Sequence, residues 1–303
     1  MKRSLQSKNE AWLHAVRLRT LPLALASIFA GSFLAKWQGS FRWEVLLLAS
    51  LTTTFLQILS NLANDYGDSI HGADSSDRTG PIRAVQSGKI SLQEMKRVMF
   101  FLGVLSLISG TLLIYISLQD WRYFLGFFAL GIAAIWAAIR YTSGKNPYGY
   151  SGLGDIAVFI FFGLVGVSGT YFLHSLQADP LVILIALSLG SFSTAVLNIN
   201  NIRDIDSDHL AGKLSIPVRI GRKNAIGYHW TLIGLGYVSL GFFIVLSQTY
   251  LALLAFLVLP WMISISQGIQ SASSATEIDP YLKKMALSTL IWTLLFGFGL
   301  LLV

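Results

Sequence analysis

The chain has no cysteine among its 303 residues. That excludes a disulfide framework and any thiolate metal centre, and it leaves the redox character of the compartment unread. Charge is scarce as well. Asp, Glu, Lys and Arg make up 12% of the residues, against about 25% in ordinary soluble domains. A polar shell large enough to cover a soluble protein of this length is therefore missing. Proline is sparse at 7 residues, and there is no low-complexity segment. The five histidines show neither an HExxH pattern nor any other paired spacing, which argues against a zinc site.

What is present is apolar. Hydrophobic residues account for 54% of the chain and the mean hydropathy is +0.62. Uninterrupted apolar runs near 21–36, 44–63, 98–118, 123–141, 153–173, 181–199, 225–247, 250–269 and 285–303 are each about as long as a bilayer-spanning helix requires. The expected fold is an all-α integral membrane protein, with nine transmembrane helices enclosing a cavity and helix-loop caps at one face. Residues 1–303 read as one domain, with 1–20 as a polar, basic N-terminal arm. Because this lead-in is long, an uncleaved first helix is expected rather than a signal peptide. The glycines at 163, 166 and 169 form a small-residue stripe suited to close helix packing.

The net charge of +7 reads as topology and not as nucleic-acid binding. Nine spans place 19 of the 22 Lys and Arg residues on one side, leaving only Lys36, Arg42 and Arg122 on the other. The positive-inside rule makes the basic side cytoplasmic. The N-terminus is then inside the cell and the C-terminus outside, in a cell (inner) membrane. These cations also face lipid headgroups.

Seven of the fifteen acidic residues lie in two stretches, both on that cytoplasmic side. The first is Asn61-Leu-Ala-Asn-Asp65-Tyr-Gly-Asp68, followed by Asp74 and Asp77. The second is Asn200-Asn-Ile-Arg-Asp204-Ile-Asp-Ser-Asp208. In a continuing helix, Asn61, Asp65 and Asp68 share a face, as do Asn200, Asp204 and Asp208. Each stretch ends an apolar run and is followed by glycine, proline and cations, 139 positions apart. That order resembles a weak internal duplication.

Carboxylates with amide oxygens are hard ligands suited to Mg²⁺, which usually takes one or two protein carboxylates and fills its shell with water and substrate phosphates. Two facing groups of this kind suit a diphosphate held between metal ions. Arg83, Lys89, Lys145, Lys213, Arg219 and Arg222 supply cations for the remaining phosphate oxygens. Tyr141-Thr-Ser-Gly-Lys145 adds a phenol and an ammonium at the end of the fourth span. Phe, Trp and Tyr make up 13% of the chain, and an apolar interior rich in them suits a long hydrocarbon and a carbocation. The chemistry implied is ionisation of an allylic diphosphate inside the membrane. A secondary transporter is the competing class, but its ionisable groups are expected near mid-membrane in broken helices, not at helix ends.

NLANDYGD, GPIRAVQSGKIS, YTSGK and NNIRDIDSDHLAGK together resemble the UbiA superfamily of intramembrane prenyltransferases. They are most similar to its 1,4-dihydroxy-2-naphthoate polyprenyltransferase branch of menaquinone synthesis. Arg17-Leu-Arg19-Thr20-Leu-Pro22 resembles the opening of that branch. The resemblance implies that Asn61, Asp65, Asp68, Asn200, Asp204 and Asp208 hold Mg²⁺. It implies that Asp65, Asp68, Asp204, Asp208, Tyr141 and Lys145 are catalytic, and that Arg83, Lys89, Lys213 and Arg219 stand on the diphosphate side. The wider family's NDxxDxxxD motif departs here at Gly72, where Asp74 is a candidate replacement. The implied substrates are a polyprenyl diphosphate and 1,4-dihydroxy-2-naphthoate, with loss of diphosphate and CO₂. Other family acceptors, such as 4-hydroxybenzoate, haem or a chlorophyll precursor, are the alternatives.

Overall fold

The computed structural model describes residues 7–71 and 83–302. Asp74, Asp77 and Gly72 lie outside the described residues. Within them the chain is helical, and nine helical segments are long and apolar enough to cross a membrane. Helix α1 (Lys8–Val16) leads through a 3-10 turn, Leu18–Thr20, into α2 (Leu21–Trp37). Next come α3 (Trp43–Ile70), α4 (Leu92–Ser117) and α5 (Trp121–Arg140). Then follow α6 (Gly154–Ser175), α7 (Pro180–Arg203), the short α8 (Ile205–Leu210), α9 (Ile216–Ser247), α10 (Tyr250–Ser271) and α11 (Ala275–Leu301).

Local chemistry starts these helices. Ser7 caps α1 by accepting from the Glu10 amide, and Ser91 and Glu94 form a reciprocal capping box at α4. Asp120 caps α5, Asp179 caps α7 just ahead of Pro180, and Ser274 caps α11. Several helices outrun the apolar stretches that mark them. α3 continues from the apolar run to Ile70, and α11 begins at Ala275 rather than near 285. α9 begins at Ile216, with a non-helical residue at Gly221 (φ 78°). The expected polar arm likewise contains a helix, α1, beneath which Ala11 and Ala15 are buried. Hydropathy marks the lipid-facing length, whereas backbone hydrogen bonding continues wherever a polar face finds protein partners.

The helices pack as two groups. One core joins α2, α6, α7, α9, α10 and α11 through Val167, Leu189, Phe192, Phe243, Met262, Trp292 and Phe296. Smaller cores join α1, α3 and α4 through Ala15, Leu59, Leu62 and Met95, and the far ends of α3 and α4 through Val45, Leu113 and Ile114. Phe100, Phe101, Tyr115, Trp136, Phe242 and Val245 point outward and exposed. This inversion is costly in water at about 25 cal/mol per Å² of apolar surface, and it suits lipid.

The glycine stripe of α6 is used unevenly. Gly163 packs on α7, where a Cβ would meet the Ala186 carbonyl oxygen at 2.5 Å and Gly190 Cα at 2.9 Å. A Cβ on Gly166 would meet Ser27 Cβ of α2 at 2.8 Å, while one on Gly169 would make ordinary contacts with Phe127 at 3.8 Å and Val165 at 4.0 Å. Gly163→Ala is expected to lower stability by about 1–3 kcal/mol, because backbone must move. Gly126→Ala, with open space around it, should be neutral. Thermal unfolding of the two purified variants in detergent checks the contrast.

Candidate active site at a polar cavity mouth

Between the two helix groups lies a cavity of about 750 Å³, lined by α1 to α7 with Leu282 and Ala286 of α11. One end is polar, with Arg17, Asn61, Asn64, Asp65, Asp68, Arg83, Tyr141, Asn200, Arg203 and Lys213 in its wall. The rest is apolar and aromatic, including Ile114, Phe127, Phe128, Phe161, Phe162 and Leu173.

The first acidic face is continuous. α3 remains helical to Ile70, so Asn61, Asp65 and Asp68 project together, and all three are buried. Cations answer the two carboxylates. Arg17 Nη2 donates to Asp65 Oδ1 at 2.5 Å, and Arg83 Nη1 pairs closely with Asp68 while standing 3.8 Å from Asp65 Oδ1. Arg83 also donates to the Asn64 carbonyl at 3.0 Å. Tyr150 donates to Asp68 Oδ1 at 2.7 Å. Burial and the Asp68 charge push the Tyr150 phenol well up, so it stays a proton donor. The Asn61 amide is committed to protein: Nδ2 donates to Val16 O at 2.8 Å and Thr20 Oγ1 at 3.0 Å, and Oδ1 accepts from Gln57 at 3.1 Å. It thereby ties α1 over the cavity.

The second face differs. α7 ends at Arg203, Asp204 takes non-helical angles (φ −97°, ψ 11°), and α8 starts anew. The expected single stripe through Asn200, Asp204 and Asp208 is therefore broken at its middle residue. Arg203 holds Asp204 with two bonds, Nε to Oδ1 at 2.8 Å and Nη2 to Oδ2 at 2.6 Å, and bonds Asn200 Oδ1 at 2.9 Å. Lys213 pairs with Asp208 Oδ2 at 3.0 Å. Burial pushes the Asp208 carboxyl above the usual carboxylate range, against the pull of Lys213. Asn200, Arg203 and Lys213 reach the cavity wall, with Asp204 and Asp208 bonded to those cations.

Tyr141 lies in the cavity wall, edge-on to Tyr148 with ring centroids 5.4 Å apart. Burial, with Asp155, Asp208 and Asp68 around it, raises its phenol, which stays neutral. Lys145, four residues on, is exposed and outside the wall, as is Lys89. Arg219 is exposed and fastens two loops, bonding Ser151 O at 2.7 Å and Leu214 O at 3.0 Å. Sequence reasoning gave Arg17 and Arg203 no site role and overlooked Tyr150 and Asp279. The two arginines stand inside quoted motifs. Tyr150 and Asp279 stand in none, and only the fold brings them here.

Among the described residues no three His, Cys, Asp or Glu side chains converge on one point. Each face instead offers two carboxylates, hard oxygen donors that fit a Mg²⁺ ion completing its shell with phosphate and water. Paired acidic helix ends over an apolar, aromatic cavity define an intramembrane enzyme for a substrate with an anionic head and a hydrocarbon tail. The chain belongs to the UbiA prenyltransferase family, whose sequence profile matches residues 24–290. It is 43% identical to the 1,4-dihydroxy-2-naphthoate octaprenyltransferase of Escherichia coli, over 97% of this chain and 96% of that protein. It is 41% identical to the protein of the same name from Haemophilus influenzae, over 99% and 98%. The fold matches a UbiA homolog from Aeropyrum pernix with TM-score 0.67 and 18% identity, covering 95% of this chain and 98% of that one. It matches the UbiA homolog from Archaeoglobus fulgidus bound to GPP and Mg²⁺ with TM-score 0.65 and 15% identity, covering 97% and 100%.

Arg83→Met removes the guanidinium from buried Asp68 while the Tyr150 bond remains. It is expected to cost about 3 kcal/mol, the penalty of breaking a buried ion pair. A fall of several degrees in the unfolding midpoint of the substrate-free protein checks it, and Arg83→Lys should recover part of the loss.

Proposed function

We propose that the chain, acting as one domain over residues 1–303, transfers a polyprenyl group from an allylic polyprenyl diphosphate to 1,4-dihydroxy-2-naphthoate, releasing diphosphate and CO₂. The observation that carries this reading is the convergence of two acidic helix ends and their cations on the polar end of one apolar cavity. The names of the relatives at 43% and 41% identity support the acceptor. The GPP and Mg²⁺ bound to the Archaeoglobus fulgidus homolog support the donor and the metal.

The diphosphate lies at the polar mouth and the prenyl chain along the aromatic wall, where a cavity of about 750 Å³ is of the size that ordinarily encloses small ligands. Arg17, Arg83 and Lys213 bind its outer oxygens. Asp65 and Asp68 on one side, and Asp204 and Asp208 on the other, would hold Mg²⁺, which when bound supplies electrostatic stabilisation of the departing diphosphate. The C1–O bond of the donor breaks with its electron pair going to diphosphate. The ring carbon bearing the carboxylate of the acceptor then bonds to C1. Loss of CO₂ returns the electron pair to the ring, so no net proton is consumed or released. Phe127, Phe128, Phe161 and Phe162 line the cavity, where they exclude water and offer an aromatic environment to the cation. The 19-to-3 distribution of Lys and Arg supports a cytoplasmic site in a cell (inner) membrane, with the N-terminus inside and the C-terminus outside.

Purified protein in lipid, supplied with Mg²⁺, a labelled long-chain prenyl diphosphate and 1,4-dihydroxy-2-naphthoate, is expected to form a decarboxylated naphthoquinol. Chelator should abolish it. Asp65→Ala and Asp208→Ala should each lower turnover by about 10²-fold or more while leaving the protein folded. Product from 4-hydroxybenzoate alone would reassign the acceptor, and full activity in both variants would remove the acidic faces from the mechanism.

A further inference from the structure

Asp279 stands in no motif shared with the acidic stretches. It sits in the second turn of α11, beside Pro280, and its carboxylate reaches the site from the opposite side to Asp204. Arg203 Nη1 donates to Asp279 Oδ1 at 2.6 Å, and Arg19 Nη1 lies 3.4 Å from Asp279 Oδ2. The Arg203 guanidinium is thus shared. Its Nε and Nη2 edge faces Asp204 and Asn200, and its Nη1 end faces Asp279. Arg203 is itself buried, at 5% exposure, so bulk water does not readily replace a carboxylate that leaves it. Its fork matches one carboxylate on each side, a geometry a lysine ammonium cannot reproduce.

This arrangement bears on the reading of Asp204 as a ligand. A carboxylate that turns its lone pairs to a metal ion weakens its hold on the guanidinium beside it. A buried guanidinium left without a partner is strongly unfavourable, and that cost would be subtracted from metal affinity. Asp279 removes the cost by offering Arg203 a second carboxylate, which Arg19 in turn steadies. We propose that Asp279 is a positioning residue of the active site: it retains Arg203 while Asp204 is released to a metal ion. The inference rests on the metal–diphosphate reading above. It adds a residue from the last helix, and through it a physical link between α11, the N-terminal turn and the end of α7.

The test is direct metal binding. Mn²⁺ is titrated into the detergent-purified full chain with saturating, unreactive geranyl thiolodiphosphate, and bound metal is followed by electron paramagnetic resonance. Asp279→Asn, nearly isosteric, is expected to raise the half-saturating Mn²⁺ concentration about tenfold, the weight of one charge-assisted hydrogen bond. Asp279→Glu, which keeps the carboxylate, should stay close to the unsubstituted protein. In an Arg203→Met background, where no guanidinium needs retaining, Asp279→Asn should have no further effect, since coupled residues are non-additive. Unchanged Mn²⁺ affinity in Asp279→Asn overturns the inference, and so does a tenfold effect that persists unaltered beside Met at 203. Absence of Mn²⁺ binding by the unsubstituted chain overturns the metal reading itself, a result distinct from either.

Discussion

Burying negative charge at a membrane boundary is possible only if positive charge is buried with it. Asp65, Asp68, Asp204 and Asp208 are each nearly inaccessible, and each has a guanidinium or ammonium against it. In a low-dielectric setting, an unpaired carboxylate would be protonated or would exclude itself from the interior. The pairing therefore decides much else. It requires α1 to fold back so that Arg17 reaches Asp65, and it requires Arg83, past the end of α3, to return to the same helix. Arg17 takes a left-handed backbone conformation (φ 51°) to do this, with the Thr20 amide bonding its carbonyl at 2.8 Å. Strain of this kind persists where surrounding bonds over-determine it.

The same cations underlie the proposed chemistry. A guanidinium that neutralises a carboxylate in the free protein carries donors that suit a diphosphate, so on the proposed reading the substrate meets groups already placed and already desolvated. The two faces accomplish this differently. Asp65 and Asp68 project from one unbroken helix toward cations on two other segments. Asp204 and Asp208 straddle a break between helices, with their cations one and five residues away in the chain. The internal likeness of the two stretches is therefore a likeness of residue order, not of local conformation.

The hydrocarbon side follows from packing. Within the larger helix group α2 and α6 approach closely at Gly31, where a Cβ would come within 2.5 Å of the Val167 carbonyl oxygen. The two helix groups part where Gly169, Ser27 and Gly110 leave room along the cavity wall. The exposed aromatic and aliphatic side chains of α4, α5 and α9 face outward, so substrate tail and protein surface share one solvent.

Much of this was legible in the chain. The spans, the location of both acidic stretches and the apolar cavity follow from hydropathy and the position of charge, because lipid leaves a backbone no alternative to the helix. The buried acids and cations at 65, 68, 83, 204, 208 and 213 were readable as candidates because they stand together in short charged stretches after apolar runs. Helix ends were less so. α11 and α9 begin well before their apolar runs, since polar, largely exposed helical turns are invisible to hydropathy.

Which side chains actually meet was settled only by tertiary structure. Lys145 and Tyr141 are four residues apart, yet one faces out and the other lines the cavity, because the helix ends at Arg140 and the chain turns through Gly144 (φ 97°). Asn61, a ligand by resemblance, has its amide nitrogen bonded to Val16 O of α1 and to Thr20 Oγ1, contacts that its place in the motif does not reveal. Tyr150 and Asp279 reach the site across 82 and 76 residues of chain, and no local pattern encodes such contacts. Composition and spacing determined that this protein lies in a membrane with paired acids at one face. The direction in which each helix end turns depends on what packs against it, and that decided which groups form the site.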